Sequence, residues 1–445
     1  MLLAHARLTT FIDSGLPRRS RPLALARIGL FAVLPTLAFA QASTRGAPTA
    51  ADWAKARRVL ATTPLIDSHN DLPWAIREQG KPPRDVDAYD LTKTAPGMTD
   101  LARLKTGMLG AQFWSVYVPG EYKDSGFARV QLEQIDIAKR TIAKYPGRLE
   151  LVTSADGIRR AFARKRIGSL LGMEGGHAIE NSLGALRSYY DLGARYMTLT
   201  HNVTLDWADA ALDSAKHGGL TRFGEEVVHE MNRLGMLVDL SHVSPATMSD
   251  ALDVTAAPVI FSHSSARALC DVPRNVPDSI LKRLAANGGV VMVTFVPSFI
   301  SREVAVWSAR YDSVASAFRK ARGADIAAFA RDTAGWIGAN PAPRATLAQV
   351  ADHIEHVRDV AGTDHVGIGG DFDGITTFVL GLEDVSKYPA LFAELAHRGW
   401  SEGNLRKLAG ENLLRVFAQA EAVSRTLRKS RPASTATIEM LDWKR

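Results

Sequence analysis

The chain has 445 residues, of which 46% are hydrophobic, which is enough for a large core, and its one cysteine, Cys270, excludes an intrachain disulfide. The formal charge of +7 lies at the ends: residues 1–40 hold five Arg and one Asp (+4), residues 425–445 hold six basic and two acidic residues (+4), and residues 41–424 carry −1. A near-neutral body argues against nucleic acid as a partner. Cys270 is expected to be a buried filler rather than a metal ligand or a nucleophile.

Residues 1–40 are predicted to be an export signal. Four arginines form its basic region, residues 28–39 form a short apolar run, and Ala38-Phe39-Ala40 is a small-x-small cleavage site. The apolar run is shorter than the ~20 residues that cross a membrane comfortably. The body of the protein is therefore expected in the periplasm or outside the cell, with an uncleaved N-terminal anchor as the alternative. Residues 41–50, rich in small side chains, are expected to be a linker.

Residues 51–424 contain eight short apolar runs separated by helical segments, several of which open with Ser, Thr or Asp. Six of the runs stop at a side chain that can bind metal or move a proton. This order predicts a (β/α)8 barrel, a fold that places its chemistry at the C-terminal ends of its strands. The side chains in question are His69 and Asp71, Glu174 and His177, His201, His242, His263, and Asp371 and Asp373.

Two segments do not belong to the repeating pattern. Residues 297–343 are predicted to be a helical insertion between strands seven and eight, which either caps the barrel mouth or makes a subunit contact. Residues 425–445 are expected to be a basic, disordered tail.

Five of the strand-end side chains can account for a metal centre. Residues i and i+2 of a strand point to the same side, so His69 and Asp71 converge on one point. A carboxylate at the barrel rim costs several kcal/mol to bury unless it is paired or bound to metal, which applies to Glu174. With His242 and His263, there are five donors of the kinds that zinc prefers, enough for two ions if one carboxylate bridges them.

These motifs resemble the membrane dipeptidase (renal dipeptidase) family of zinc peptidases. The similarity covers about residues 65–417, through LIDSHNDLPWAIR, EGGHAIEN, LGARYMTLTHN, LVDLSHVS, VIFSHSSARALCDVPRNVPD, HVGIGGDFDG and GENLLRVF. The resemblance implies an amidohydrolase-type barrel with two Zn²⁺ ions, which hydrolyses free dipeptides, including those with a C-terminal D-residue, by a metal-bridging hydroxide. A homodimer is expected.

The resemblance also assigns roles to individual residues. His69 and Asp71 match the ligands of one zinc, His242 and His263 match those of the other, and Glu174 matches the bridging carboxylate. His201 matches the histidine that binds substrate and steadies the tetrahedral intermediate. Arg274 matches the arginine that grips the substrate carboxylate, and Asp371 matches the carboxylate that holds the substrate amine and shuttles the proton. Two ends held at a fixed distance would reject longer peptides.

Other residues near these motifs receive lesser roles. Asp373 and His177 are interpreted as supporting or turn residues, and Trp207 and Asp209 are expected to shape the pocket wall. Two alternatives stay open: a metal-dependent hydrolase of another small amide or lactone, such as an N-acyl amino acid, and a metal-free, non-catalytic relative. The ligand set does not single out zinc among first-row metals.

Overall fold

The fold is a closed barrel of eight parallel strands, as the sequence predicts. The computed structural model describes residues 46–120, 122 and 126–443. Each barrel strand pairs in parallel with its neighbours, and the pairing of the second strand with the fourth completes the ring. The strands are β1 (Leu65–Asn70), β2 (Leu109–Ser115), β3 (Leu149–Leu151), β4 (Ile167–Glu174), β5 (Ala194–Thr198), β6 (Leu237–Asp239), β7 (Ile260–Ser264), β8 (Val290–Val293) and β9 (Val366–Ile368).

The short strand β3 is the one strand of the sheet that the sequence pattern does not indicate. It pairs with the first three residues of β4, with Leu149 opposite Ile167, and it takes no place in the closed ring. Its three residues run from buried to exposed, so they lack the continuous apolar run that marks the barrel strands.

Helices follow the strands at the positions that the capping signals predict. Side chains of Ser154, Ser182, Thr221, Ser244 and Thr346 each accept a backbone N–H in the first turn of a helix. The helices are α1 (Ala50–Thr62), α2 (Leu72–Gln79), α3 (Leu101–Thr106), α4 (Phe127–Lys144), α5 (Ala155–Ala163), α6 (Leu183–Asp191), α7 (Arg222–Leu234), α8 (Pro245–Val254), α9 (Asp278–Asn287), α10 (Pro297–Ile300), α11 (Arg302–Arg322), α12 (Ile326–Ala339), α13 (Leu347–Ala361), α14 (Tyr388–His397), α15 (Glu402–Arg406), α16 (Asn412–Ser430) and α17 (Ile438–Leu441).

The core has two layers, inside and outside the barrel wall. Phe113, Leu170 and Tyr196 belong to a cluster that also contains Phe417 of α16. Their strand neighbours, such as Trp114, pack in the larger cluster with the surrounding helices. Alternate strand positions therefore fill the barrel, and α16 closes the end at which the strands begin. The side chains at the C-terminal ends of the strands lie at the opposite end of the barrel.

Residues 311–339, within the predicted insertion, form a compact unit of their own. Inside this unit the rings of Tyr311 and Trp336 lie 5.8 Å apart, and the Arg319 guanidinium stacks 3.7 Å above the ring of Phe329. The insertion is thus helical, as its composition predicts.

The described part of the tail, residues 425–443, contains helical segments, which differs from the predicted disordered tail. Helix α16 continues to Ser430, and the chain then runs along α7. Arg431 bonds to Glu226 at 2.5 Å, and Asp442 accepts the hydroxyl of Thr221 at 2.6 Å. Both contacts join the tail to residues that are about 200 positions away in sequence.

The predicted signal, residues 1–40, lies outside the described residues, as does the first half of the linker. Among the helices of the described ranges, none has the length and apolar character needed to cross a bilayer.

Candidate active site

The strand ends bring all five predicted metal ligands together at the barrel mouth. His69 lies near the end of β1, and Asp71 follows it at the start of α2. Glu174 is the last residue of β4, His242 lies three residues after β6, and His263 is in β7. All five side chains are buried, so three basic and two acidic groups share one small volume.

Glu174 stands at the centre of this cluster. Its Oε2 lies 3.5 Å from Nε2 of His69, and its Oε1 lies 3.0 Å from Nε2 of His242 and 3.5 Å from Nε2 of His263. One carboxylate thus turns its two oxygens toward different imidazoles. On the His69 side, Oδ2 of Asp71 lies 3.3 Å from the same Nε2.

The donor atoms form three overlapping sets, each compact enough to surround a single ion, with all atoms of a set within 4.8 Å of one another. Ligands at about 2.0–2.2 Å from one tetrahedral zinc ion would be about 3.4 Å apart. Nε2 of His69 and Oδ1 of Asp71 are buried and have no hydrogen-bond partner among the described residues, which is costly unless a cation takes that place. The residues therefore fit a metal centre. The sets are His69, Glu174 and His263; Glu174, His201 and His242; and His69, Asp71 and Asp371.

Burial keeps two of the imidazoles in the form that binds metal. It lowers the pKa of His242 and of His263 well below the usual value, and the positive charge of Arg274 lowers both further. Neutral imidazoles carry a lone pair, which a protonated ring lacks.

A ring of hydrogen-bond partners fixes the far side of each imidazole. Nδ1 of His69 lies 2.9 Å from the hydroxyl of Tyr196, and Nδ1 of His242 lies 3.0 Å from Oδ1 of Asn202. Nδ1 of His263 lies 2.8 Å from Oγ of Ser262. Each ring therefore directs Nε2 toward the cluster. Sequence reasoning missed these three partners, although the serine before His263 in FSH was a visible signal.

The loop after β9 is fastened to the end of β1. The N–H of Asp371 donates to the carbonyl of His69 at 3.1 Å, and the N–H of Asp71 donates to the carbonyl of Phe372 at 2.9 Å. Asp371 adopts a φ of 63°, a conformation that costs energy for a residue other than glycine. At Gly374, a Cβ would lie 2.2 Å from Oδ2 of Asp71 and 2.4 Å from Oδ1 of Asp371. Glycine is required there because both carboxylates occupy that space.

Two charged groups flank the cluster. Asp371 Oδ1 lies 3.9 Å from Nε2 of His69, and burial raises the pKa of Asp371 well above its ordinary value, with the negative charges of Asp71 and Glu174 adding to the effect. Arg274 is buried, with its Nη atoms 3.4 Å from Oγ of Ser264 and from the carbonyl of His263. Burial lowers the pKa of Arg274 to about 10, so it stays charged at neutral pH.

His201 also belongs to the cluster. Its Nε2 lies 3.6 Å from Oε1 of Glu174, and its ring lies 4.4 Å from that of His242 and 4.8 Å from that of Tyr117. His201 lies between the candidate metal ligands and the ring of Tyr117. It can therefore bind either a metal ion or a substrate group that is bound to the ion.

The lesser residues hold loops. His177 uses Nε2 on the carbonyl of Val118 at 2.8 Å, and burial lowers its pKa to about 4. The carboxylate of Asp209 accepts four backbone N–H groups of residues 216–219.

Three further residues that the sequence singles out, Asp373, Trp207 and Cys270, are largely buried and packed within the fold. Asp373 accepts the N–H of Met98 at 2.6 Å. The ring of Trp207 is fully buried against Gly176, and Cys270 is buried with Sγ 3.5 Å from the carbonyl of Ser298.

The comparisons with known proteins identify the family of the chain. The family model of the membrane dipeptidases, peptidase family M19, matches residues 53–431. The chain belongs to the membrane dipeptidase family. Dipeptidase 3 of Rattus norvegicus is 43% identical over 376 residues, which are 83% of this chain and 67% of the relative, and Dipeptidase 3 of Mus musculus is 43% identical over 375 residues with the same coverage.

Two solved structures, of a probable dipeptidase and of a metallopeptidase, share the fold of this chain. The probable dipeptidase PvdM of Pseudomonas aeruginosa has a TM-score of 0.73 at 23% identity, over 84% of this chain and 99% of its own. A metallopeptidase of Rhodobacter sphaeroides, liganded with a phosphinate mimic of the dipeptide L-Ala-D-Ala, has a TM-score of 0.66 at 25% identity, over 80% and 99%. Family membership makes this chain a metallopeptidase of the dipeptidase type.

Proposed function

We propose that this membrane dipeptidase uses two zinc ions to hydrolyse free dipeptides, including those whose C-terminal residue has the D configuration. The observation that carries the proposal is the placement of Glu174. Its Oε2 lies 3.5 Å from the imidazole of His69, and its Oε1 lies 3.0 Å and 3.5 Å from those of His242 and His263. A carboxylate that serves two ligand sets is the arrangement that a pair of ions needs.

The resemblance to the membrane dipeptidases suggests how the ligands are divided between two ions, and the different imidazoles that face the two oxygens of Glu174 support this division. His69 and Asp71 would hold one ion, and His242 and His263 would hold the other, with Glu174 shared between them. When bound, the two ions would lower the pKa of a water molecule between them and polarise the scissile carbonyl. His201 is then left for the substrate, because its ring lies beside His242 without being needed as a ligand.

The remaining charges match the two ends of a dipeptide. Arg274 keeps its positive charge in a buried position, and its planar fork can bind the C-terminal carboxylate through two hydrogen bonds. Asp371 can accept the N-terminal ammonium group. Since the pKa of Asp371 is raised, it can also pick up a proton and deliver it to the leaving amine. The span between these two residues would exclude tripeptides.

The inclusion of dipeptides with a C-terminal D-residue draws support from one relative. The metallopeptidase of Rhodobacter sphaeroides is liganded with a mimic of L-Ala-D-Ala, and the chain shares its fold over 80% of its length. We propose the same substrate class here because the charged groups that would hold the two ends are present.

The test is a panel of substrates with purified protein, with added zinc and with a chelator. L-Ala-L-Ala, L-Ala-D-Ala, an alanine tripeptide, N-acetylalanine and a simple lactone are compared by product release. We expect zinc-dependent cleavage of both dipeptides and no cleavage of the tripeptide. Cleavage of N-acetylalanine or the lactone with both dipeptides spared would overturn the proposal.

A matched pair of variants tests the proton shuttle. Asp371→Asn should lower kcat on L-Ala-D-Ala by about 10²–10⁴-fold, because the amide cannot take up a proton. Asp373→Asn, two residues further along, should retain most activity, since its oxygen can still accept the N–H of Met98. Equal losses in both variants would indicate a damaged loop rather than a lost proton carrier.

We also propose that the protein is exported, on the basis of the basic and apolar segments in residues 1–40. N-terminal sequencing of the mature protein should give a start at residue 41. A start at residue 1 or 2 would instead favour an uncleaved anchor.

A further inference from the structure

Asp239, the last residue of β6, is a fully buried carboxylate for which the proposed chemistry has no use. Its Oδ1 accepts the N–H groups of Ser241 at 3.0 Å and Ser262 at 2.8 Å. Its Oδ2 accepts the hydroxyls of Thr198 at 2.5 Å and Ser262 at 2.6 Å. With four hydrogens pointing at it, this group acts only as an acceptor.

The direction of the hydrogen bonds continues to a metal ligand. Ser262 has one hydroxyl hydrogen, and that hydrogen is donated to Asp239. The oxygen of Ser262 therefore presents a lone pair to Nδ1 of His263, 2.8 Å away. Nδ1 must then carry the ring hydrogen. The lone pair of the neutral imidazole is on Nε2, which lies 2.8 Å from Nε2 of His242 and 3.5 Å from Oε1 of Glu174.

For the other two imidazoles, the hydrogen-bond partner at Nδ1 does not determine which ring nitrogen carries the hydrogen. The hydroxyl of Tyr196 beside His69 can either donate or accept, and the amide of Asn202 beside His242 presents either oxygen or nitrogen when it rotates. Among the candidate metal ligands in the described residues, His263 is the imidazole for which a carboxylate determines the nitrogen that carries the ring hydrogen.

We infer that Asp239 is a positioning residue that acts through Ser262 to hold His263 in the tautomer that binds a cation. The inference rests on the proposed two-zinc centre and adds the group that prepares one of its positions. A carboxylate behind a ligating imidazole also makes the ring a stronger donor, and loss of such partners weakens metal binding by about 10–100-fold.

Asp239→Asn tests the inference because it should reverse the direction of the hydrogen bonds that link residue 239 to Ser262 and Ser262 to His263. The amide oxygen can keep the two backbone N–H groups, while the amide nitrogen donates to Ser262. Ser262 must then donate to Nδ1 of His263, which moves the ring hydrogen to Nε2 and removes the lone pair from the metal position. We expect the second zinc, which is the ion held by His242 and His263, to bind at least tenfold more weakly than in the wild type. The measurement is the zinc retained per chain in buffers of fixed free zinc.

A double-mutant cycle separates this mechanism from general damage. Ser262→Ala alone should weaken the second zinc only severalfold, because Nδ1 then has no imposed partner. Asp239→Asn combined with Ser262→Ala should bind zinc as well as Ser262→Ala alone, since the asparagine has lost its route to His263. Thr198→Val is the matched control: it removes another donor to the same Oδ2 and should keep both zinc ions.

The outcomes are distinct. Wild-type protein with fewer than two zinc ions would overturn the two-zinc centre itself. Two ions in the wild type and unchanged zinc affinity in Asp239→Asn would overturn this inference alone, as would a double variant no better than Asp239→Asn. If Asp239→Asn does not fold, Ser262→Ala decides, and zinc affinity identical to that of the wild type would overturn the inference.

Discussion

The hydroxyl of Tyr196 lies 2.9 Å from Nδ1 of His69, and its ring reaches that point across a glycine of the neighbouring strand. At Gly172, a Cβ would lie 2.0 Å from Cζ of Tyr196. The glycine thus leaves the space that the tyrosine ring occupies inside the barrel, and the tyrosine orients a metal ligand.

Gly172→Ala is therefore expected to displace the ring of Tyr196. The buried overlap should cost about 1–3 kcal/mol of unfolding free energy, and zinc affinity and kcat/KM should fall at least tenfold. Urea unfolding and zinc retention measure the two effects. Gly184→Ala, at an exposed position of α6, is the matched control and should be neutral or slightly stabilising. Unchanged zinc retention in Gly172→Ala would show that Tyr196 is not required to orient His69.

Arg274→Lys should expose the recognition of the substrate carboxylate. Lysine keeps the charge but loses the planar fork, so we expect kcat/KM for L-Ala-D-Ala to fall about 100-fold, or about 2.7 kcal/mol. The same dipeptide with a C-terminal amide should be a poor substrate for both proteins. Arg267→Lys, in a more exposed ion pair with Asp271, should leave the kinetics unchanged. A similar loss on the amide substrate would contradict the assigned contact.

His353 on α13 should make stability depend on pH. Its Nδ1 accepts the N–H of Ala266 at 3.1 Å, its Nε2 lies 3.0 Å from the carbonyl of Ile300, and burial lowers its pKa to about 4. The unfolded chain takes up a proton near pH 6.5 while the folded one does not. Stability is therefore full above pH 6.5 and declines toward pH 4, by about 3 kcal/mol.

His353→Gln should remove this part of the pH dependence while it keeps a donor to the carbonyl of Ile300. The measurement is the difference in unfolding free energy between pH 7.5 and pH 4.5, for wild type and variant. The slope of the wild-type protein is the reference for this comparison. If His353→Gln shows that slope too, His353 accepts its proton in the folded state.

The sequence predicts the barrel well because its strands are buried, continuous apolar runs and its helices have local caps. Family membership was predicted from the same strand ends and is confirmed. The short β3 escaped notice because Leu149–Leu151 depends on pairing with β4 rather than on an apolar run of its own. The order of the tail rests on partners such as Glu226, about 200 residues away in sequence.

The site shows the same division. His69, Asp71 and Glu174 stop their strands, so sequence position alone brings them to the mouth. Asp239 is the last residue of β6 and Ser262 lies in the middle of β7, and their side chains meet across these neighbouring strands. The local sequence does not indicate which polar side chains of neighbouring strands contact each other. The hydrogen bonds that support the ligands could therefore be identified only in the structure.

The proposed two-zinc centre can be tested by the rate of L-Ala-D-Ala hydrolysis as metal-free protein receives zinc, with bound zinc measured in the same samples. The two-zinc centre should give little activity with one ion per chain and a steep rise as the second binds, because both ligand sets around Glu174 must be filled. Full activity at one ion per chain, or equal activity in the metal-free protein, would contradict it.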